Sequence, residues 1–441
     1  MEIKELQKII QENGVVGAGG AGFPTYAKLD ERANTILMNC AECEPLLKLH
    51  RQLLEKHAYE IMKTFQLVAD TVGASESIIG IKKSYIQTVN ALNQHIEEFP
   101  NMRIHLLEEV YPMGDEVVLI YEATGRVVRP GGLPIEQGVA VFNVETIYNV
   151  YRALENQPVT DKYVSVVAEV SNPVTVRVPI GCTLDEVVAQ AGSVTIKDPV
   201  YFVGGPMMGR IGSGSEPVTK TTNAILVLPK DHTIVTKKQR TSSIDLKRAA
   251  SICCQCNTCT DLCPRNNLGH PIDPALFMRA ASNQDYRDLN PYLDANFCSS
   301  CGVCEMYSCP QSLAPRSLLA DMKAGLRKAG VRPPQGVQAS PVPSAREYRK
   351  VPEERLMARL ALTRYDKEAP MDESLVPVSK VKVLLSQHIG APAQAIVKPG
   401  DQVTRGQIIA APANGLSVAI HATIDGKVTE VTDRHIIIAK K

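Results

Sequence analysis

Apolar positions in the first third of the chain switch between helical and strand-like spacing. Four apolar residues recur at helical spacing and predict an amphipathic helix over residues 3–12. Short apolar runs predict buried strands at residues 35–39, 77–81 and 103–107. The stretches between them predict one long helix over about residues 50–72 and another near residues 84–98. Strands that alternate with helices in this way predict an α/β core.

The pattern changes beyond this core, where the β-rich runs become shorter. Residues 163–203 contain two such runs around a helix near residues 184–191, which predicts a small β-grasp-like module. Residues 331–350 are rich in Pro, Ser and Gly, the composition of a flexible connector. From residue 381 onward, strand-like runs alternate with turns and predict a small β-sandwich of the lipoyl or biotinyl type.

Cysteine spacing carries the clearest chemistry in the chain. The segment 253–310 holds eight of the twelve cysteines in two runs, each closed by Cys-Pro. The first run has the C-x-x-C-x-x-C-x-x-x-C-P spacing of ferredoxin-type iron–sulfur ligands, and the second has one extra residue before its last cysteine. If the fourth cysteine of each run reaches the neighbouring cluster, one [4Fe-4S] cluster takes Cys253, Cys256, Cys259 and Cys309, and the other takes Cys298, Cys301, Cys304 and Cys263.

Two other interpretations of these cysteines are weaker. Zinc sites with four thiolates usually use two separated C-x-x-C pairs rather than a triple run. Disulfides need an oxidising compartment, and the amino terminus shows no export signal. Two clusters held close together would form a short path for electrons, which needs a donor and an acceptor.

Length and charge limit the remaining possibilities. The 441 residues are enough for two to four domains, and the net charge of +1 provides no basic surface for nucleic acid. No apolar run approaches the about 18 residues that cross a bilayer. A cytoplasmic protein without a membrane span is therefore expected, since the reduced thiols also suit that compartment.

A glycine-rich loop near the amino terminus is the candidate site for a second cofactor. Gly17, Gly19, Gly20 and Gly22 leave backbone N–H groups open to a phosphate or a flat ring. No strand precedes the loop, so an ordinary Rossmann fingerprint is disfavoured, and a plain tight turn remains an alternative. Glu42 and Glu44 follow the first predicted strand, where they are either cofactor contacts or helix caps.

Several motifs together resemble a known group of redox proteins. Residues 17–28, 39–45, 111–116 and 143–146 resemble, in order, motifs of the NADH-binding flavoprotein subunit of respiratory complex I. Two relatives of that subunit are similar over nearly the whole chain: the C subunit of the Rnf electron-transport complex and the cobalamin reductases of propanediol-utilisation microcompartments. The Rnf protein has its β-sandwich before the glycine-rich core, whereas here the sandwich comes last, so the chain is identified as a member of the reductase family.

The resemblance implies a noncovalent FMN over the glycine-rich loop and NADH beside it. Lys28 would then pair with the FMN phosphate, and Phe23 would stack on the nicotinamide nucleotide. Asn39, Glu42 and Asn143 would line the flavin, while Glu44 and Glu116 would lie near polar groups of the nucleotide. Ala41 and Cys43 depart from the complex I flavoprotein, which has an acid and a serine at these positions.

The expected fold is an α/β flavoprotein core with a β-grasp-like module, a ferredoxin-like α-helical two-cluster domain and a C-terminal barrel-sandwich hybrid. The expected domains are residues 1–155 for FMN and NADH, 156–240 for the β-grasp-like soluble-ligand-binding domain, 241–330 for the two clusters, 331–375 for a linker and 376–441 for the barrel-sandwich hybrid.

The resemblance implies an NADH-dependent cobalamin reductase that passes electrons through FMN and two [4Fe-4S] clusters to a corrinoid. Its expected partners are an adenosyltransferase and a microcompartment shell protein, inside a bacterial microcompartment. One alternative is an electron-input subunit that reduces a protein acceptor in a larger redox assembly. Another is a non-enzymatic interaction module whose glycine loops are only turns.

Overall fold

The computed structural model describes residues 1–440, and a four-stranded parallel sheet forms the centre of the amino-terminal part. The strands lie in the order β3-β2-β1-β5 with helices on both faces. The elements of this part are α1 (Ile3–Glu12), β1 (Thr35–Cys40), α2 (Leu49–Lys56), α3 (Ala58–Val72), β2 (Glu76–Lys82), α4 (Ile86–Asn93), β3 (Met102–Leu107), β4 (Val110–Tyr111), α5 (Glu116–Thr124), β5 (Val139–Asn143) and α6 (Val144–Leu154).

Strand β1 shows why this sheet is buried on both sides. Ile36 and Met38 pack into the core beneath α2, α3 and α6, while Leu37 packs into the core beneath α5. Successive side chains of a strand point to opposite faces, so a strand that is apolar throughout requires a layer of helices on each face. Asn39 of β1 is the register partner of Asn143 of β5, which brings the two asparagines side by side at the carboxyl edge of the sheet.

The long helix predicted over residues 50–72 is wrong as a single element. The chain leaves helical geometry at His57, which has φ −125° and ψ 36°, so that α2 and α3 are separate helices. The His57 ring lies 2.7 Å from a carboxylate oxygen of Glu373, a residue far along the chain. A contact that distant in sequence is invisible to helical periodicity, which continues unbroken through residue 57.

The second part is a mixed six-stranded sheet of order β12-β7-β6-β10-β8-β9. Its elements are β6 (Asp161–Ala168), β7 (Val174–Pro179), α7 (Leu184–Val188), β8 (Pro199–Val203), β9 (Arg210–Gly212), β10 (Ala224–Pro229) and α8 (Thr233–Lys238). Strand β12 comes from residues 371–375, outside the segment that the sequence assigned to this module. The loop between β8 and β9, residues 204–209, contacts the amino-terminal part through Glu44.

Short helices make up the cysteine-rich part. They are α9 (Ser242–Ile252), α10 (Thr258–Asp261), α11 (Pro274–Asn283), α12 (Asn290–Leu293), a π-helix (Val303–Ser308) and α13 (Pro315–Lys328). Phe277, Tyr292 and Leu319 form the centre of a small apolar core between them. The first cysteine run begins where α9 ends, at Cys253.

The expected linker, residues 331–375, contains regular structure in its second half. Residues 331–345 are mostly exposed, but β11 (Val351–Pro352) then pairs with β4, and α14 (Glu353–Arg359) packs its buried Leu356 into a core. Strand β12 (Met371–Leu375) completes the six-stranded sheet. The buried ammonium of Lys82 pairs with the Glu353 carboxylate and fixes this segment to the four-stranded sheet.

Two small sheets form the carboxyl-terminal part, as expected for a sandwich. One has the order β13-β19-β18-β15 and the other β14-β16-β17. The strands are β13 (Lys380–Leu384), β14 (Gln394–Ala395), β15 (Gln402–Val403), β16 (Ile408–Ala411), β17 (Ile420–His421), β18 (Gly426–Val431) and β19 (His435–Ala439). Their apolar side chains share one core with the six-stranded sheet. Within residues 1–440, no helix combines the length and apolar character needed to span a membrane.

Candidate functional site

The glycine-rich loop closes on itself above the carboxyl edge of the flavoprotein sheet. The Gly17 N–H donates to the Phe23 carbonyl at 2.9 Å, and the Ala18 N–H donates to the Thr146 hydroxyl at 3.0 Å. A Cβ at Gly19 would lie 2.6 Å from the Asn143 amide nitrogen, so only glycine fits there. A Cβ at Gly20 would meet no atom within 4 Å, because this residue faces open space.

A cavity of about 270 Å³, here called the loop cavity, lies against this loop. Nine of the eleven residues predicted for the cofactors line it, namely Gly17, Gly19, Gly20, Gly22, Phe23, Lys28, Asn39, Glu116 and Asn143. The Lys28 ammonium donates to the Val141 carbonyl at 2.8 Å and lies 3.4 Å from a Glu116 oxygen. The cavity therefore offers open backbone, one ammonium group and one carboxylate, which suits a phosphorylated ring compound such as FMN.

The two remaining predicted residues, Glu42 and Glu44, line an adjoining cavity of about 260 Å³, here called the junction cavity. It shares Gly19, Asn39, Gly114 and Asn143 with the loop cavity, so the two cavities are adjacent. Its far wall includes Ser299 and Cys301 of the second cysteine run. Two adjacent cavities thus lie between the glycine-rich loop and the cysteine-rich part.

Glu42 acts as a cap for α2. Its carboxylate accepts hydrogen bonds from the His50 N–H at 2.8 Å and the Arg51 N–H at 3.3 Å, at the first turn of the helix. Its backbone has φ 36°, an uncommon conformation for a residue with a side chain. The helix-cap interpretation of Glu42 therefore holds, while the same side chain also borders the junction cavity.

Glu44 fixes the β8–β9 loop to the flavoprotein part. Its two carboxylate oxygens accept from the Met207 N–H at 2.9 Å and the Met208 N–H at 3.0 Å. Burial raises the pKa of Glu44 to about 7, although these two hydrogen bonds act in the opposite direction. A Cβ at Gly205 would lie 2.2 Å from a Glu44 oxygen, so the loop needs glycine where the carboxylate enters it.

The eight cysteines of the two runs separate into two groups of four. The outer cysteine set, Cys253, Cys256, Cys259 and Cys309, lines a single surface cavity. Burial raises the pKa of Cys259 to about 12, and the other three thiols of the set act in the same direction. Each set takes its fourth member from the other run, because Cys309 lies with the first run rather than with its own.

The near cysteine set consists of Cys263, Cys298, Cys301 and Cys304. Burial raises the pKa of Cys304 well above its usual value, and the thiols of Cys298, Cys301 and Cys263 raise it further. Thiolates must replace thiols when iron binds, so loading of this buried set would release protons. The Tyr111 hydroxyl donates to the Cys301 carbonyl at 2.7 Å and links this set to the flavoprotein part. Within residues 1–440 no three of these side chains come close enough to hold a single metal ion, and what fits a [4Fe-4S] cluster is the number and type of ligands, four thiols in each set.

Sequence reasoning did not name as site residues several that line the junction cavity, among them His50, Tyr111, Gly114 and Met208. Tyr111 and Gly114 lie within a segment that resembles a motif of the complex I flavoprotein, so that signal was present. His50 marks only the start of a predicted helix in the sequence. Cys43, one of the two departures from the complex I flavoprotein, accepts from the Gly114 N–H at 3.2 Å, and its pKa is raised to about 12 by burial.

Comparison with known families assigns each part of the chain. The Nuo51 FMN-binding domain matches residues 10–152, and the SLBB domain matches residues 163–211. A 4Fe-4S dicluster domain matches residues 252–314, and the RnfC barrel sandwich hybrid domain matches residues 364–441. These matches confirm the expected fold class in all four parts.

Full-length relatives decide the family. The protein named cobalamin reductase PduS from Citrobacter freundii is 40% identical over 100% of this chain and 97% of its own length. Its counterpart from Salmonella typhimurium is 41% identical over 99% of this chain and 96% of its own length. This chain belongs to the PduS family. As a member of that family with FMN-binding and 4Fe-4S domains, it is a flavin and iron–sulfur oxidoreductase.

More distant similarities cover less of the chain. The C subunit of the Na⁺-translocating ferredoxin:NAD⁺ oxidoreductase complex of Acetobacterium woodii is 30% identical over 60% of this PduS family member and 58% of its own length. Among solved structures, an NAD⁺-reducing [NiFe]-hydrogenase in the H2-reduced state matches with a TM-score of 0.49 and 21% identity, over 77% of this chain and 69% of its own.

Proposed function

We propose that this PduS family member is an NADH-dependent reductase that passes electrons through FMN and two [4Fe-4S] clusters to a corrinoid. The observation that carries the proposal is that the loop cavity adjoins the junction cavity, so that their linings together reach from the glycine-rich loop to Cys301. Bound FMN would accept a hydride and release its two electrons singly, which is the chemistry that connects a nicotinamide to iron–sulfur clusters.

Different residues of the loop cavity would bind the phosphate, the nicotinamide nucleotide and the flavin ring. The Lys28 ammonium would hold the FMN phosphate, since it is the cation that lines this cavity near the glycine-rich loop. Phe23 would stack on the nicotinamide nucleotide, and Asn39 and Asn143 would support the ring from the edge of the sheet. The Asn39 side chain is fixed in this position, because its amide donates to the Gly114 carbonyl at 2.9 Å.

Three glutamates would lie beside the bound groups: Glu44 and Glu116 near the nucleotide, and Glu42 near the flavin. The Glu116 side chain is 42% exposed, so its carboxylate is accessible to a ribose hydroxyl of NADH. Glu44 would border the nucleotide while its oxygens hold the Met207–Met208 backbone. Glu42 would line the flavin from its position as the α2 cap.

Electrons would reach the near cysteine set first and the outer cysteine set second. Cys301 of the near set lines the junction cavity, whereas the outer set lines a cavity at the surface. Cys254 and Cys256 are exposed, so an acceptor could approach the outer cluster closely. The outer cluster is therefore the exit in this scheme.

Anaerobic purification tests the proposal. The expected protein contains FMN and about eight irons, as two Cys₄-bound [4Fe-4S] clusters require, and is bleached by NADH. It should then reduce cob(III)alamin or cob(II)alamin without any other protein. A colourless protein, or one that binds zinc instead of iron, would refute the cofactor assignment. Bleaching by NADH without corrinoid reduction would refute the assigned acceptor.

A protein acceptor is the second candidate. The similarity to the C subunit of an Rnf-type complex over 60% of the chain favours it, and so does the surface position of the outer cysteine set. A strict requirement for an added redox protein, such as a ferredoxin, would establish an electron-input role. The same assay with and without that protein separates the two candidates.

The proposed partners follow from the corrinoid product. A fully reduced corrinoid is consumed by an adenosyltransferase, so we place this chain beside such an enzyme and a shell protein, in the cytoplasm inside a bacterial microcompartment. Isolation of intact microcompartments tests this location. The chain should co-sediment with the shell and resist added protease until the shell is opened, whereas a chain found only in the free fraction would contradict it.

A further inference from the structure

The glycine-rich loop is held at both ends by segments from outside the flavoprotein part. Before the loop, the side-chain amine of Lys220 donates to the Gly14 carbonyl at 2.6 Å and to the Ala419 carbonyl of the sandwich at 3.3 Å. Lys220 lies in the turn that precedes β10 of the six-stranded sheet. At the end of the loop, the Ile389 N–H of the sandwich donates to the Gly22 carbonyl at 3.2 Å.

The sandwich also contacts the segments on either side of the loop. On the amino-terminal side, the Ala419 N–H donates to the Gln11 carbonyl at 3.1 Å, and the Gln11 amide donates to the Ser417 carbonyl at 3.1 Å. On the other side, the Tyr26 hydroxyl donates to the Gly415 carbonyl at 3.3 Å. The loop therefore lies between two segments that are both fixed to the sandwich.

Glycines allow the close approach at both ends of the loop. A Cβ at Gly14 would lie 2.5 Å from the Ala419 oxygen and 2.6 Å from Nζ of Lys220. A Cβ at Gly22 would lie 2.9 Å from the Gln387 oxygen of the sandwich. The φ angles of Gly14 and Gly22, +70° and +73°, are also in the left-handed region that favours glycine. Backbone thus meets backbone at each end, and a shift of the sandwich would move the loop.

Lys220 is an expensive residue at this place. Its side chain is buried, and burial lowers the pKa of Lys220 to about 7, with no compensating charge beside it in the part of the chain that the structure describes. The neighbouring His421 supplies none, because burial and Lys220 lower the pKa of this histidine to about 3. An apolar side chain of similar length would fill the space at a lower cost. The amine therefore contributes the position of the two carbonyls it binds rather than stability.

The position of the loop determines the shape of the loop cavity, which four loop glycines and Phe23 line. Glycine permits many backbone conformations, so ordering such a loop on binding would cost affinity unless other contacts fix it beforehand. Inside the loop, the Gly17 N–H donates to the Phe23 carbonyl. Its two ends depend on the six-stranded sheet and the sandwich.

We propose that the six-stranded sheet and the carboxyl-terminal sandwich together set the geometry of the FMN loop, with Lys220 as the positioning residue between them. The sandwich thereby takes part in flavin binding without touching the flavin. Lys220 binds the loop and the sandwich with one amine, so its loss would free the start of the loop from both. This inference rests on the proposed function, because it takes the glycine-rich loop as the FMN site.

Lys220→Met tests the positioning role, since methionine fills the space without a hydrogen-bond donor. Lys237→Met is the matched control, because Lys237 is also buried and its amine donates to the Glu305 carbonyl at 2.7 Å, yet it lines neither cavity. The full-length protein is purified anaerobically and depleted of flavin with its clusters retained. Titration with FMN, followed by the quenching of its fluorescence, gives the dissociation constant.

Hydrogen exchange on the flavin-free protein separates positioning from stability. The Gly17 and Ala18 amides report the order of the loop, and the amides of β10 report the stability around residue 220. Lys220→Met is expected to bind FMN at least about tenfold more weakly and to exchange Gly17 and Ala18 about tenfold faster. Its iron content and β10 protection should equal those of the wild type. Lys237→Met should bind FMN as the wild type does.

Two results would overturn the inference and leave the proposed function intact. One is wild-type FMN affinity and loop exchange in Lys220→Met, and the other is weaker FMN binding that comes with lost β10 protection, as a merely structural lysine would give. Gly22→Ala decides if Lys220→Met does not fold, because its methyl group would point at Gln387 of the sandwich; it should show the same faster loop exchange, and unchanged exchange would refute the inference. A wild type that binds no FMN would overturn the proposed function, and the inference with it.

Discussion

The contact between the flavoprotein part and the β8–β9 loop is expected to weaken as pH rises, because Glu44 loses its proton. Its carboxylate is buried and holds the backbone of Met207 and Met208. Burial raises its pKa from 4.5 to about 7, so the folded protein binds this proton more tightly than the unfolded chain does. The stability from this group is therefore fully present below about pH 4.5 and is lost as pH rises through about 7.

The size of the effect follows from that pKa change. A rise from 4.5 to about 7 corresponds to about 3 kcal/mol of differential stability, or about 300-fold in an opening equilibrium over the full titration. Glu44→Gln removes the titrating group and one of the two oxygen acceptors. The variant should lose the pH dependence, and at low pH it should also lose about 1 kcal/mol because one backbone donor is left without its acceptor.

Hydrogen exchange at the Met207 and Met208 amides measures this contact directly. Local exchange suits the question, since a chain with several domains does not unfold in two states. After correction for intrinsic rates, protection in the wild type should fall about 100-fold between about pH 5 and 8, and protection in Glu44→Gln should stay flat. Glu354→Gln, at an exposed glutamate, serves as the control. Protection with the same pH dependence in wild type and Glu44→Gln would refute the reasoning.

Three other predictions concern the clusters, the glycine-rich loop and the interior. Cys256→Ala should lose one cluster and so about half of the iron, whereas Cys254→Ala should keep all of it; iron analysis and the visible spectrum report both. Gly20→Leu should fold normally, because the site faces open space, yet bind FMN at least about tenfold more weakly, as a fluorescence titration would show. Glu353→Gln should cost about 3–5 kcal/mol by leaving the buried Lys82 charge unpaired, measured by local hydrogen exchange in α14, and a change within error would contradict the pairing.

Local patterns account for what could be predicted of the fold. The amphipathic helix at residues 3–12 coincides with α1, and the three predicted strands coincide with β1, β2 and β3 within one residue at each end. These elements bury apolar faces at fixed periods, so their sequence contains the information. The break at His57 and the contribution of β12 to the second sheet involve partners far along the chain, which periodicity cannot report.

In the candidate site, too, local patterns predicted some features and distant contacts decided the others. The spacing of the cysteines predicted which thiols could bind iron, and the structure brings Cys309 to the first run and Cys263 to the second. Glu44 was predicted as a site residue on its position after a strand, but its contact with Met207 could not be foreseen. His50 carried no signal of its own, because a single histidine at a helix start is common.

The sequence by itself determined the chemistry that this chain can hold. The spacing of ligands, the glycines of a loop and the periodicity of apolar residues are properties of short segments. They can therefore be predicted from the residue types of each segment alone. Only the tertiary structure decided which of these groups share a space. The loop cavity, the junction cavity and the contacts of Lys220 with Gly14 and Ala419 are formed by segments that lie far apart along the chain, and the packing that joins them is a property of the whole folded protein.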